Sequence, residues 1–224
     1  MRIALDGASR GGRQVLGPVA LEIGREEVVA LLGPSGIGKT TLLRLVAGLD
    51  PAPAGAVTGA GRIAMVFQEP TLLPWRTAEQ NVTLAAGCDG AEARAWLART
   101  GLGGREAAYP RALSLGQQRR VALARAFAAA PETLLMDEPF VSLDPDAAAR
   151  MRALTAELLA ARPVRALLVT HAREEALALA DRVVTLGGSP AGIVSETRLD
   201  RPRAARDADW IAEAARRLPG PAVA

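Results

Sequence analysis

The chain contains almost no lysine, histidine, cysteine or aromatic side chains. Lysine and arginine together number 27 among 224 residues, but only one of these is lysine, and there is a single histidine and a single cysteine. One cysteine excludes an internal disulfide bond and is typical of a reducing compartment. Because aromatic residues make up only 3% of the chain, its core must consist mainly of alanine, leucine and valine.

Long hydrophobic runs and basic clusters are also missing. No apolar run approaches the roughly 18 residues of a membrane-spanning helix, and no secretory signal pattern opens the chain. We therefore expect a cytoplasmic protein that reaches a membrane only by docking on a partner that spans it. The net charge of +3 comes from scattered arginines, which favours a solvated surface, so no nucleic-acid partner is expected.

Strand patterns and helix patterns alternate at both ends of the chain, and a helical block lies between them. Apolar runs predict strands at 15–23, 28–32, 62–67, 133–136 and 166–169. Helical spacing predicts helices at 39–47, 78–86, 91–100, 116–129, 146–161, 172–180 and 210–218, with Asp146 capping its own helix. The pattern describes one α/β domain over residues 1–224, with a helical subdomain inserted at about 77–130 and a short tail from about 201.

A glycine-rich turn directly after strand 28–32 contains the only lysine. The turn matches the P-loop pattern and consists of Gly33, Pro34, Ser35, Gly36, Ile37, Gly38, Lys39 and Thr40, with Thr41 next in the helix. Backbone N–H groups of such a turn bind phosphate oxygens, and the following helix adds the positive end of its dipole. The compact ammonium of Lys39 fits among phosphate oxygens, where a guanidinium would be too wide. Thr40 offers a hydroxyl to Mg²⁺, so the turn predicts a nucleotide-phosphate site.

Two adjacent acids, Asp137 and Glu138, follow the apolar strand at 133–136. At the end of a buried strand, Asp137 can hold Mg²⁺ through water, and Glu138 can polarise or deprotonate the water that attacks the γ-phosphate. Taken alone, the segment is more simply a strand that ends in two solvent-facing acids. Together with the P-loop, the pair predicts nucleotide hydrolysis.

A third motif identifies the class. Residues 113–120 read Leu-Ser-Leu-Gly-Gln-Gln-Arg-Arg, and here the chain resembles the ATP-binding cassette (ABC) family, whose signature reads Leu-Ser-Gly-Gly-Gln. Gln68 resembles the family's Q-loop glutamine, Asp144 its D-loop aspartate and His171 its switch histidine, all in the family's order. The resemblance implies a P-loop NTPase fold, with an antiparallel β edge beside the mostly parallel sheet.

The resemblance also implies a role for each motif in the hydrolysis of ATP with Mg²⁺. The P-loop holds the phosphates, and the remaining roles are metal binding by Thr40, Gln68 and Asp137, and catalysis by Gln68, Glu138 and His171. The family's sites are shared across a head-to-tail homodimer. Signature residues of one copy would therefore contact ATP held by the other, and these are Ser114, Leu115, Gly116 and Gln117.

Two positions depart from the family pattern. Leu115 replaces the first signature glycine, and we expect weaker dimer closure if that position needs a positive φ. The family usually stacks adenine on an aromatic residue upstream of the P-loop, but residues 8–12 contain none. The Arg10 guanidinium could stack on the base instead, or the site holds adenine poorly.

The sequence after Gln68 indicates what the ATPase drives. Leu72, Leu73 and Trp75 form an apolar cluster on the surface that, in the family, receives a helix of the membrane permease. The alternative is that they only pack the helical subdomain. The segment FQEPTLLPWRT resembles the corresponding segment in the ATPases of nitrate, sulfonate and taurine importers. The stretch 55–67 is shorter than is usual in that group, which implies that an antiparallel edge hairpin is trimmed.

The resemblance thus implies an importer subunit at the cytoplasmic face of the membrane. Two permease subunits and a periplasmic or extracellular solute-binding protein would complete the transporter. Two alternatives remain: the ATPase of an exporter or lipid-extracting complex, and a soluble cassette that acts on DNA or ribosomes. The second would show nucleic-acid affinity with a steep salt dependence.

Overall fold

A six-stranded, mostly parallel sheet forms the centre of the molecule. The computed structural model describes residues 1–51 and 54–219. Its strands, in chain order, are β1 (Arg2–Leu5), β2 (Ala8–Arg10), β3 (Arg13–Leu16), β4 (Val19–Glu22), β5 (Val28–Leu32), β6 (Gly55–Thr58), β7 (Ile63–Val66), β8 (Thr133–Asp137), β9 (Arg165–Thr170), β10 (Arg182–Gly187) and β11 (Gly192–Arg198). Its α-helices are α1 (Lys39–Val46), α2 (Ala78–Ala86), α3 (Gly90–Arg99), α4 (Leu115–Ala128), α5 (Pro145–Ala161), α6 (Arg173–Leu179) and α7 (Ala208–Arg217).

The central sheet positions the predicted site. Its strand order is β11-β10-β5-β9-β8-β7, parallel from β10 to β7, with β11 antiparallel at one edge. Strands β5, β8, β9 and β10 are buried along their whole length, as expected for parallel strands covered on both faces. Parallel strands end at a common sheet edge, so the P-loop, Gln68, Glu138 and His171 all follow strands at that edge.

A layer of antiparallel strands lies beside this sheet, which confirms the predicted antiparallel β edge. β1 pairs with β4 on one side and with β6 on the other, and β2 pairs with β3 in a hairpin. The prediction of a single strand at 15–23 is wrong, because the chain forms β3 and β4 there. Pro18 lies between them and has no N–H to donate to a continuous ladder.

Two hydrophobic cores cover the two faces of the central sheet. Along β5, Val28, Ala30 and Leu32 belong to one core, whereas Val29 and Leu31 belong to the other. The first core contains the helical subdomain of α2 to α4 together with α5 and α6. The second contains α1 and the antiparallel layer. The sheet is therefore covered on both faces.

Side-chain caps fix where several helices begin. The Oδ1 of Asp144 accepts a hydrogen bond of 2.9 Å from the N–H of Ala147. Asp144, not Asp146, therefore caps α5, and the helix begins with Pro145, which is well suited to a first turn because its missing N–H is not needed there. No helix in the part of the chain that the structure describes has the length and apolar character needed to cross a membrane.

Candidate functional site

The P-loop connects β5 to α1 and folds around the Lys39 side chain. Gly38, the N-cap of α1, has a φ of 114°. A Cβ at Gly38 would lie 2.8 Å from the Cδ2 of Leu16, so the close approach and the positive φ both require glycine. The Lys39 ammonium donates hydrogen bonds to the carbonyls of Gly33 at 2.8 Å and Pro34 at 3.0 Å.

Lys39 also faces the predicted catalytic acid. Its Nζ lies 3.5 Å from the Oε1 of Glu138, and the Lys39 side chain is only 3% exposed. Burial lowers the pKa of the Lys39 ammonium from its ordinary value, and the Glu138 carboxylate offsets part of that shift. The ammonium is thus a desolvated positive charge surrounded by oxygen atoms, which is the environment that a phosphate can share.

Thr40, in the first turn of α1, contacts Asp137. The Thr40 hydroxyl donates a 3.0 Å hydrogen bond to the Oδ1 of Asp137, at the end of β8. Burial raises the pKa of Asp137, and the hydrogen bond from Thr40 opposes that rise. A hydroxyl and a carboxylate oxygen beside a phosphate site fit Mg²⁺, which usually binds one or two carboxylates together with substrate phosphates.

Glu138 and His171 lie together at the ends of β8 and β9. The Glu138 Oε2 is 3.2 Å from the Nδ1 of His171. Glu138 has a φ of 43°, and its N–H donates to the carbonyl of Val169 at 2.9 Å. Such a conformation costs a non-glycine residue roughly 1–3 kcal/mol and persists only when its surroundings impose it. The fold therefore directs this carboxylate toward Lys39 and His171.

A cavity of about 400 Å³ is lined by several of these groups. Among the predicted phosphate, metal and catalytic residues, those that line it are Ser35, Gly36, Gly38, Lys39, Thr40, Thr41, Gln68 and Glu138. Pro34 and Ile37 line an adjoining cavity of about 310 Å³ on the outer side of the P-loop. The structure thus places the P-loop, Gln68 and Glu138 around one space. Asp137 and His171 do not line it, but they contact the lining residues Thr40 and Glu138.

The signature residues lie elsewhere. Ser114 is the N-cap of α4 and forms a capping box with Gln117. Neither they nor Leu115 and Gly116 line the P-loop cavity formed by the described residues. Leu115 is the first residue of α4 and is 43% exposed. Its backbone is helical, so leucine is not strained there, and weaker dimer closure remains a prediction.

The predicted permease contact is divided between surface and core. Trp75 is 68% exposed, whereas Leu72 is half-buried and packs against the helical core. Asn81 fixes the segment between Leu72 and Trp75 with two hydrogen bonds. Its Oδ1 accepts one from the N–H of Leu73 at 2.7 Å, and its Nδ2 donates one to the Leu73 carbonyl at 3.2 Å. Trp75 is thus available for contact, and Leu72 fits the alternative of internal packing.

Two arginines of α4 form contacts with the Q-loop segment that the sequence does not predict. Arg125 on α4 donates to the carbonyl of Thr71 at 2.9 Å, to that of Pro70 at 3.0 Å and to the Thr71 hydroxyl at 3.1 Å. Arg119, on the same helix, is buried and directs one N–H toward the carbonyl of Gln68 at 3.4 Å. The helix that begins with the signature is therefore tied to the Q-loop. The available signal was the presence of arginines on the part of α4 that is mostly apolar, because Arg119 lies among its buried residues and Arg125 lies between Ala124 and Ala126.

Known proteins are similar to this chain in sequence and in fold. A family model described as "ABC transporter" matches residues 16–141. The aliphatic sulfonates import ATP-binding protein SsuB 3 of Paraburkholderia xenovorans (strain LB400) is 51% identical over 180 residues, covering 79% of this chain and 72% of that protein. SsuB 2 of Nocardia farcinica (strain IFM 10152) is 48% identical over 204 residues, covering 88% of this chain and 82% of its own length.

A solved structure is also similar. The dimeric structure of a post-hydrolysis state of the ATP-binding cassette MJ0796 bound to ADP and Pi matches with a TM-score of 0.77 and 27% sequence identity. The match covers 90% of this chain and 100% of that one. The similarity therefore extends well beyond the segment matched by the family model.

Proposed function

The chain belongs to the ABC transporter family, and we propose that it is the ATP-hydrolysing subunit of a membrane importer. The observation that carries this proposal is the convergence of Lys39, Thr40, Asp137, Glu138 and His171 at the carboxyl edge of one sheet. A protein that binds and hydrolyses a nucleoside triphosphate requires these charges and metal ligands.

Lys39 and Glu138 change partners when nucleotide binds. Phosphate oxygens that enter the cavity compete with Glu138 for the Lys39 ammonium, which lies 3.5 Å from that carboxylate in this structure. The Glu138 carboxylate is then free to accept a proton from the attacking water. His171, 3.2 Å from Glu138, fixes the orientation of the carboxylate and can contact the terminal phosphate.

The metal-binding group is Thr40, Asp137 and Gln68. The first two are joined by a hydrogen bond of 3.0 Å, and Gln68 lines the same cavity. Mg²⁺ held there would neutralise charge on the phosphates during phosphoryl transfer. Asp137 is held in place for this role at the end of the buried strand β8.

We place the signature residues against ATP bound to a second copy of the chain. Ser114 to Gln117 lie at the N-terminus of α4, where backbone N–H groups favour phosphate. The dimer of the similar cassette MJ0796 supports this arrangement. Asp144, the cap of α5, would lie at the same dimer interface. A homodimer bound to permease subunits is the proposed assembly.

The transported solute is proposed from the relatives. Proteins 48% and 51% identical to this chain are named for aliphatic sulfonates import, so a sulfonate, taurine included, or a related small anion such as nitrate is the proposed class. The exposed Trp75 would contact the permease at the cytoplasmic face of the membrane. A solute-binding protein would deliver the solute from outside.

Removal of Mg²⁺ tests the hydrolytic function. The purified chain is expected to release phosphate from ATP steadily in the presence of Mg²⁺ and to lose nearly all of this activity in excess EDTA, because the γ-phosphate then lacks its charge partner. Phosphate release over time measures the effect, and restoring Mg²⁺ should restore the rate. A rate unaffected by EDTA would contradict the metal role of Thr40 and Asp137.

A further inference from the structure

His171 lies in a tight connection between β9 and α6. Thr170 is the last residue of β9, and α6 begins two residues after His171, at Arg173. The His171 side chain is 47% exposed, and among the described residues the only hydrogen-bonding partner of its ring is the Glu138 carboxylate, at 3.2 Å. The position of the imidazole therefore depends mainly on the backbone on either side of it.

The hydroxyl of Thr170 fixes that backbone. Thr170 is 1% exposed, and its hydroxyl oxygen accepts a 3.0 Å hydrogen bond from the N–H of Ala172, on the far side of His171. The same hydroxyl donates a 2.5 Å hydrogen bond to the Oε2 of Glu175. The two bonds close a small loop around His171, and the Glu175 carboxylate supports this loop.

This arrangement differs from an ordinary helix cap. Glu175 is the third residue of α6, and a glutamate there usually accepts directly from the backbone N–H of the N-cap residue, which is Ala172. Here the Thr170 hydroxyl accepts from that N–H and donates to the carboxylate instead. The hydroxyl therefore ties Glu175 to both of the residues that flank His171.

Glu175 is close to the candidate site without lining it. Burial raises the pKa of Glu175, whereas the hydrogen bond from Thr170 and the charges of Arg152 and His171 oppose that rise, and the charge of Glu138 adds to it. Glu175 does not line the P-loop cavity formed by the described residues. Its influence on the site therefore passes through Thr170.

We propose that Glu175 is a positioning residue of the hydrolytic site, and that through the Thr170 hydroxyl it holds His171 where the imidazole meets both Glu138 and the terminal phosphate. The proposal rests on the proposed function, because it assumes that ATP is hydrolysed here with the help of His171. Misplacement by about 1 Å can lower a rate by about a hundredfold. A residue that touches no substrate can therefore still control turnover.

Steady-state phosphate release from ATP and Mg²⁺ tests the proposal on the full chain. Glu175→Ala and Thr170→Val each remove the hydrogen bond, and each should lower kcat by about tenfold or more while KM for ATP stays within about threefold. Glu175→Gln keeps an acceptor and Thr170→Ser keeps the hydroxyl, so both should retain most of the turnover. Glu174→Ala removes an exposed acid from the same first turn of α6 and is the matched control, which should behave as the wild type.

Dependence on His171 separates positioning from general support of the fold. Adding Glu175→Ala to His171→Ala should lower the residual turnover no further, because the two residues act as one unit. His171 is the only histidine of the chain, so a chain purified without a histidine tag gives a single imidazole NMR signal. This signal should shift in Glu175→Ala and stay unchanged in Glu174→Ala.

Glu175→Ala with a wild-type kcat would overturn the proposal, as would a further loss of rate on top of His171→Ala or an unaltered imidazole signal. Glu175→Gln as slow as Glu175→Ala would overturn it too, because the hydrogen bond would then not be the cause. If Glu175→Ala does not fold, Thr170→Val carries the same predictions. If the wild-type chain releases no phosphate with Mg²⁺, the proposed function itself fails, and the imidazole signal still decides whether Glu175 positions His171.

Discussion

Glu138→Gln is expected to lower ATP turnover by a factor on the order of 10² to 10⁴ while ATP binding is retained. The amide keeps the size of the carboxylate but cannot accept a proton from water. The substitution also removes the carboxylate that competes for Lys39 at 3.5 Å, so affinity for ATP should be unchanged or higher. Without hydrolysis, ATP should remain between two copies of the chain and hold them together.

Phosphate release and gel filtration measure the two effects of Glu138→Gln. With ATP and Mg²⁺ the variant should elute as a dimer, and with ADP as a monomer. Glu26→Gln, at an exposed glutamate in the turn before β5, is the matched control and should behave as the wild type. Turnover above a tenth of the wild-type rate would refute the role of Glu138, and a variant that stays monomeric with ATP would refute the shared site.

Lys39→Ala is expected to weaken ATP binding by about 10- to 100-fold, because charge-assisted hydrogen bonds contribute about 1.5–3 kcal/mol. The substitution also leaves Glu138 without its positive neighbour, so this carboxylate would repel the entering phosphates. Lys39→Arg should not rescue binding, because the planar guanidinium does not fit the space around the Gly33 and Pro34 carbonyls that the ammonium contacts.

Titration of ATP with each Lys39 variant measures the loss, and thermal unfolding shows whether the chain remains folded. If Lys39→Ala is unstable, Lys39→Ala combined with Glu138→Gln removes both members of the ion pair and should fold. This double variant should still bind ATP poorly. Affinity within threefold of the wild type in a folded Lys39→Ala chain would refute the assigned role of Lys39.

The strands around the site could be predicted because burial fixes their composition. β5 reads as a continuous apolar run and was predicted with its observed bounds, because a parallel strand covered on both faces can carry few polar side chains. β10 is equally buried but was missed. It begins with Arg182, whose guanidinium is paired with Glu27 and Glu196, and no local pattern reveals a partner as distant in sequence as Glu27.

The sequence analysis also missed short strands that depend on pairing with distant strands, and it assigned one helix cap to the wrong residue. β1 and β6 are four residues each, and β6 pairs with β1 across some 50 positions of sequence, while β1 also pairs with β4. Periodicity over such short runs cannot reveal these pairings. The cap of α5 was assigned to Asp146, but Pro145 moves the start of the helix to the residue after Asp144.

The residues at the strand ends could be predicted from the sequence, whereas the contacts made by α4 could not. The P-loop and Glu138 each follow a strand and Asp137 ends one, and parallel strands bring their ends together. The tie between Arg125 and the Q-loop could not be predicted, because it depends on how α4 packs beside the sheet. The roles of the signature residues remain predictions that require the dimer.

Identification of what binds this chain in its own host tests the central claim most directly. The tagged chain would be purified from gently solubilised membranes and its partners identified by mass spectrometry. Importer function predicts a polytopic permease together with a solute-binding protein, whose bound ligand would name the solute. A permease without a binding protein would favour an exporter or lipid-extracting complex. Recovery only from the soluble fraction with nucleic acid or ribosomes would contradict a role in transport.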